Sequence, residues 1–142
     1  KYAPSGCKLY LNDFNEYMAA KTNDLVSMAN KLKALGIIDG IGMQSHLSTD
    51  FPSAAVYATG AEKLKSTGLD LQITELDIGS NNQDSQAQLF KEVFSIAMKN
   101  KISSLTVWGT NDSVSWRRNN NPLLFSAGYN PKKAYHAVMS LV

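Results

Sequence analysis

The chain has 142 residues, with 14 Lys and Arg against 12 Asp and Glu and a formal charge of +2, which suits one ordinary domain with no strong electrostatic address. With 44% apolar and 18% charged residues it can bury a core, and intrinsic disorder is excluded. The cations are scattered, adjacent only at Arg117 and Arg118 and at Lys132 and Lys133, so no basic stripe faces phosphates. No apolar run approaches the ~20 residues of a membrane span, so neither nucleic acid nor membrane is expected as a partner.

The turn-like Lys1-Tyr2-Ala3-Pro4-Ser5-Gly6 leads into Lys8-Leu9-Tyr10-Leu11-Asn12, a short strand ending on polar Asn12, Asp13 and Asn15, as if the chain were entered mid-protein. From about Asn23, Leu25, Met28, Ala29, Leu32 and Leu35 recur at helical steps until Gly36 stops them. Ile37 to Met43 is a second apolar run with two glycines, closing on Gln44, Ser45 and His46. A helix from Ser53 places Val56, Tyr57, Gly60, Ala61 and Leu64 on one face and ends at Gly68. Leu69 to Ile78 is the third strand, and a polar loop from Gly79 to Asp84 follows it. The next helix carries Ala87, Phe90, Val93, Phe94, Ala97 and Met98 on one stripe and stops at Asn100-Lys101. Ile102 to Trp108 is the fourth strand. After a loop through Asn119-Asn120-Asn121-Pro122, Asn130 is read as the cap of a last helix, Pro131 as its first turn, and Tyr135, Val138, Met139 and Val142 as its buried face.

The strands begin 29 to 33 residues apart, the size of a strand plus a crossover helix, so the chain reads as α/β with four consecutive βα units. Such units build either a small doubly wound sheet or half of an eight-unit barrel. Every strand ends in unusual polar or aromatic groups, and barrel enzymes place their sites on that rim. A nucleotide-binding sheet needs a glycine-rich turn after its first strand, whereas Asn12-Asp13-Phe14-Asn15-Glu16 has no glycine.

Alternation puts Glu75 and Asp77 on one side of the third strand. Two carboxylates there are either a structural charge pair with a helix-borne Lys or a catalytic group and its partner. No basic residue stands near them in sequence, while His46 ends the preceding strand. An imidazole held by Asp77 would present its other nitrogen to Glu75. Gln44, on the same side as His46, offers an amide to a hydroxyl or a carboxylate. Trp108 and Trp116, the two tryptophans, fall at or just after the C-terminal end of the fourth strand and are either core filler or flat platforms for the C–H face of a sugar. The lone Cys7 makes no internal disulfide, and His46 and His136 lie far apart, so neither metal nor cofactor is expected.

Seven segments in order resemble glycoside hydrolase family 10, the retaining endo-β-1,4-xylanases. They are Leu9-Tyr10-Leu11-Asn12-Asp13-Phe14-Asn15, Asp39-Gly40-Ile41-Gly42-Met43-Gln44-Ser45-His46-Leu47, Ile73-Thr74-Glu75-Leu76-Asp77-Ile78, Thr106-Val107-Trp108-Gly109, Ser115-Trp116-Arg117, Pro122-Leu123-Leu124-Phe125 and Pro131-Lys132-Lys133-Ala134-Tyr135. The resemblance implies that residues 1–142 are the C-terminal half of the family's eight-unit catalytic barrel, strands five to eight with their helices. It makes Glu75 the nucleophile, His46 and Asp77 its hydrogen-bonding partners in the catalytic set, and Gln44, Trp108 and Trp116 the lining of the scissile-sugar subsite. The family's acid/base glutamate ends strand four, outside these residues. Glu16 is the nearest unassigned glutamate, but its segment matches the one after strand five and it is given no role. Phe14, where the family commonly has tyrosine, and the lack of a cysteine pair before the fourth strand are departures that do not touch the chemistry.

The implied activity is hydrolysis of internal xylosidic bonds by double displacement, with xylan or xylo-oligosaccharide as substrate, the N-terminal half of the barrel as partner, and secretion because polymeric xylan cannot enter a cell. The 142 residues alone are expected to be inactive. The alternative is a non-catalytic carbohydrate-binding or self-associating half-barrel.

Overall fold

The computed structural model describes residues 2–142; Lys1, the first residue of the opening turn, lies outside them. Strands β1 (Tyr10–Asp13), β2 (Gly40–Met43), β3 (His46–Ser48), β4 (Asp70–Gly79) and β5 (Ser104–Val107) alternate with helices α1 (Ala19–Ala34), α2 (Ala54–Lys65) and α3 (Gln83–Lys99), and α4 (Lys133–Met139) follows β5. Every strand pairing is parallel. Leu11 lies beside Ile41, Ile41 beside Leu71, and Ile73 beside Leu105, while β3 lies beside the far end of β4.

The second apolar run forms β2, and a further short strand, β3, follows where the run closes on polar residues. Both β2 and β3 pair with β4, and the chain between them turns at Ser45, whose φ is +61°. The spatial order is sequential, β1, then β2 with β3, then β4, then β5. Helix α1 packs on α2, α2 on α3 and α3 on α4, so the helices form one layer. A doubly wound sheet would split them between two faces. The parallel sheet with a single helical layer is the arrangement of a partial β/α barrel.

Between sheet and helices, Leu71, Ile73, Leu76 and Ile78 of β4 meet Tyr57 and Leu64 of α2 and Phe90 and Val93 of α3, and all are fully buried. Burying a side chain of this kind contributes about 1.5–3 kcal/mol, so β4 is the spine of the layer. Ser53 caps α2, its hydroxyl accepting from the Val56 N–H at 3.3 Å, and the Asn82 amide oxygen caps α3 by accepting from the N–H groups of Asp84 and Ser85. α1 begins at Ala19, one turn before Asn23, and Gly36 follows it with φ +67°.

Several stripe residues are not covered. Met28, Val56, Met98 and Met139 are exposed on their helices, while Leu35 and Val142 are exposed because they lie past the ends of α1 and α4. The last helix also starts later than its Asn-Pro signal suggests. Pro131 pairs with Phe125 in an antiparallel bridge, and the Lys132 N–H donates to the Leu124 carbonyl at 2.9 Å, which keeps the backbone extended. Lys132 is the residue before α4 and is buried. Its ammonium donates to Asp112 Oδ2 at 2.9 Å and to the Asn121 carbonyl at 2.7 Å, tying α4 to the loop after β5.

Opposite the helices, the sheet face carries polar groups. Tyr10 donates its hydroxyl to Asp70 Oδ2 at 2.5 Å, Ser103 donates to the same oxygen at 2.7 Å, and the hydrogen bond to Asp70 pushes the Tyr10 phenol up to about 12. Among the described residues no helix is long and apolar enough to cross a membrane.

Among the described residues the open face has no second layer, and β1 and β5 each have one unpaired edge, a combination that favours association. Residues 1–142 expressed alone should therefore be oligomeric, aggregated or molten. Sedimentation and thermal unfolding check this, and a clean monomer with a sharp transition would contradict it.

Candidate active site

The site is built where β4 departs from regular pairing. Met43 lies beside Ile73 but His46 beside Asp77, and Leu105 beside Ile73 but Val107 beside Leu76. Against β5, β4 carries one extra residue between Ile73 and Leu76, and against β2 and β3 one between Ile73 and Asp77. This is a bulge, and bulges re-aim side chains. Ile73 and Leu76 both point into the helical layer, and Thr74 and Glu75 lie together on the partly exposed side.

Glu75 is held by both oxygens. Asn12 Nδ2 donates to Oε1 at 2.9 Å, and Oε2 lies 3.4 Å from His46 Nε2. Asn12 belongs to β1, two strands away, and reaches Glu75 across Gly42 of β2. A Cβ at Gly42 would sit 2.5 Å from Asn12 Oδ1, so only glycine leaves the passage open. Thr74 donates to Asn12 Oδ1 at 2.8 Å and fixes which way the amide faces.

Asp77 is fully buried, and each of its oxygens accepts. Oδ1 takes Arg117 Nη1 at 2.5 Å, and Oδ2 takes Trp116 Nε1 at 2.8 Å and His46 Nδ1–H at 3.0 Å. The same Arg117 nitrogen donates to the Leu47 carbonyl at 3.0 Å, and the Trp116 ring meets the His46 ring edge-on with centroids 5.0 Å apart. The cation that pairs with Asp77 is therefore a loop arginine, not a helix-borne lysine. A buried carboxylate needs such partners, since stripping one from a buried pair costs about 3–5 kcal/mol.

His46 spans the two carboxylates. Burial by itself lowers the imidazole pKa, but the Asp77 hydrogen bond and the charges of Asp77 and Glu75 outweigh burial and the opposing Arg117, so the net shift is upward from 6.5. Gln44 shares the half-buried face with His46, because burial alternates from Met43 to Ser48 through the turn. Its N–H donates to the Asp13 carbonyl at 3.0 Å, while its side-chain amide has no hydrogen bond among the described residues. Trp108, just after β5, donates its backbone N–H to the Leu76 carbonyl at 2.9 Å and is 46% exposed, and Trp116 is 63% exposed. The two rings are not core filler. The structure thus joins Glu75, Asp77, His46 and Trp116 directly, and places Gln44 and Trp108 on the same rim without a side-chain bond to them. Sequence reading left Asn12 and Arg117 unassigned. Both lie in quoted segments, but their partners are 63 and 40 residues away.

Ser45 is the one strained residue of the site. The left-handed conformation costs an ordinary L-residue roughly 1–2 kcal/mol, and Ser45 adopts it between Gln44 and His46 while fully buried.

A parallel sheet under one helical layer, with its chemistry-bearing side chains gathered at the C-terminal ends of the strands, is the site-bearing rim of part of a β/α barrel. The family model for glycosyl hydrolase family 10 matches residues 1–141. A bifunctional endo-1,4-beta-xylanase XylA of Ruminococcus flavefaciens is 61% identical over 143 residues, covering 99% of this chain and 15% of that protein. Endo-1,4-beta-xylanase Y of Acetivibrio thermocellus is 41% identical, covering 100% of this chain and 15% of the relative. The CBM22-1 and GH10 modules of Clostridium thermocellum xylanase 10B, solved with xylohexaose, superimpose with a TM-score of 0.93 at 39% identity, over 99% of this chain and 30% of that one. The chain belongs to glycosyl hydrolase family 10, and it spans about 15% of the length of these curated relatives.

The upward shift of His46 has a defined sign. A group whose folded pKa is raised stabilises the fold below its unfolded value, and that contribution is lost as pH rises through the folded value. In the complete catalytic domain, His46 should titrate above 6.5 by NMR, and Asp77→Asn should lower the midpoint. A midpoint at or below 6.5, or one untouched by Asp77→Asn, would contradict the geometry.

Proposed function

We propose that these residues are the C-terminal half, strands five to eight, of a secreted retaining endo-1,4-β-xylanase barrel, with Glu75 as its nucleophile. The observation that carries this reading is the position of the Glu75 carboxylate, oriented by Asn12 and His46 and open at the rim near two exposed tryptophan faces. The names of the relatives and the xylohexaose bound by the solved modules support xylan as the polymer.

Of the two carboxylates, only Glu75 is available. Both oxygens of Asp77 are engaged inside the protein, whereas Glu75 keeps part of its surface open. In the first step a Glu75 oxygen bonds to the anomeric carbon as the glycosidic C–O bond breaks, and a carboxylic acid from the rest of the barrel gives its proton to the departing oxygen. In the second, that carboxylate takes a proton from water, the resulting oxygen attacks the same carbon, and Glu75 is released. The Asn12 amide and His46 hold the Glu75 side chain in place for both displacements. The faces of Trp108 and Trp116 suit the C–H surface of the sugar, and the Gln44 amide is free for a hydroxyl.

In the complete domain, Glu75→Gln should reduce xylan hydrolysis to background while leaving thermal unfolding unchanged, and near-normal turnover would remove Glu75 from the role. Asn12→Ala, or Gly42→Ala, which drives Asn12 off its seat, should lower kcat/KM roughly 10- to 150-fold, the equivalent of a hydrogen bond to a charged acceptor worth about 1.5–3 kcal/mol. Unchanged kinetics in both variants would show that Asn12 does not orient the nucleophile.

A further inference from the structure

Behind the rim, on the helix side of the sheet, lies a second carboxyl group that the displacement chemistry does not use. Glu16, in the loop between β1 and α1, is fully buried, and burial pushes its carboxyl up to about 7. Ser45 donates its hydroxyl to Glu16 Oε1 at 2.8 Å, while Oε2 is enclosed without a hydrogen-bond partner among the described residues. Ser45 Oγ also lies 2.7 Å from the hydroxyl of Tyr57, which α2 brings in from the other side. Since the serine proton is committed to Glu16, Tyr57 donates to Ser45, and the three groups form one directed chain. The segment bearing Glu16 is itself fixed, because Thr22 Oγ1 donates to the Glu16 carbonyl at 2.6 Å.

The chain ends on the strained residue of the site. Ser45 holds φ +61° between Gln44 and His46, and its carbonyl accepts the Asp77 N–H at 3.3 Å. A left-handed serine persists only where its surroundings over-determine it, and here the surroundings are the Glu16 carboxylate and the Tyr57 hydroxyl. An unpartnered oxygen on a buried acid is costly, and the Ser45 hydroxyl on the other oxygen offsets part of that cost.

We infer that Glu16 is a positioning residue for the glycosidase site, anchoring through Ser45 the left-handed turn that delivers Gln44 and His46 to the rim beside Glu75. The inference rests on the xylanase reading for its kinetic consequence, but its structural half does not. Glu16 makes no hydrogen bond to the imidazole; it holds the turn through Ser45, and its other influence on His46 is that of its charge. The titratable groups around it are His46 beyond Ser45, Tyr57 from α2 and Tyr17 next to it in sequence, with Arg117 acting on His46 and Tyr17.

The test uses the complete catalytic domain with an activated aryl xylobioside, at a temperature where each variant is fully folded. Glu16→Leu, which removes the acceptor, should lower kcat about 10- to 100-fold, the scale of a misplaced site, with KM changed far less. Glu16→Gln, which retains a carbonyl acceptor, should keep most of the activity. Ser45→Gly, which favours positive φ without an anchor, should restore most of kcat in the Glu16→Leu background, a rescue that a merely structural role would not give. Wild-type kcat in Glu16→Leu, or a loss that Ser45→Gly does not relieve, would overturn the inference. Should Glu16→Leu not fold, Ser45→Ala against Ser45→Gly decides: an impaired alanine variant beside an active glycine variant supports the anchored turn, and equal activity overturns it. The His46 ring resonances supply a readout independent of turnover. They should move in Ser45→Ala, which keeps the Glu16 carboxyl, and far less in Ser45→Gly, even if the domain cleaves no xylan, so failure of the xylanase reading is distinguishable from failure of the anchor.

Discussion

The constraint on which the site depends is the burial of the Asp77 charge. A carboxylate removed from water needs donors on both oxygens, and Asp77 draws them from two separate parts of the chain. His46 comes from the start of β3, and Trp116 and Arg117 come from the loop beyond β5. That loop has no strand or long helix of its own to place it. It is held instead by Arg117 reaching Asp77 and the Leu47 carbonyl, and by Lys132 reaching Asp112 at its other end. A single buried charge thereby sets where an exposed tryptophan stands and which imidazole nitrogen turns toward Glu75.

The rest of the rim follows from what small residues permit. Gly42 leaves a passage across β2 through which β1 presents Asn12 to a carboxylate on β4. The bulge in β4 supplies the complementary shift, bringing Glu75 out of the helical layer and onto the open side. Neither device strengthens the sheet. A glycine in a strand forgoes packing and a bulge forgoes ladder bonds, so both are concessions of stability to the placement of one carboxylate.

Much of the layering was legible because it depends on periodicity. The apolar residues of α2 and α3 and the alternation along β4 specify which faces meet, and the polar strand ends mark the rim. The same alternation contained a signal that went unread. Leu71 and Ile73 sit at odd positions and Leu76 and Ile78 at even ones, and a change of parity inside a strand is the mark of a bulge. The break at Ser45 was not legible, because a left-handed turn without glycine is sustained by Glu16 and Tyr57, which lie 29 and 12 residues away. Arg117 escaped for the same reason, since its partner is set by the fold rather than by its neighbours. The cap assigned to Asn130 failed because a buried lysine and a short bridge outrank a local Asn-Pro preference.

The central claim is that partners, not sequence position, decide which of two nearby carboxylates reacts: three donors occupy Asp77, while Asn12 and His46 orient Glu75 and leave it open. Covalent trapping reads this directly. The complete domain, treated with an activated 2-deoxy-2-fluoro xylobioside that forms its ester and then turns over slowly, is digested and the labelled peptide sequenced by mass spectrometry. The ester should lie on Glu75 and on no other carboxylate. An ester on Asp77, or a domain that hydrolyses xylan with no trapped intermediate, would contradict the claim.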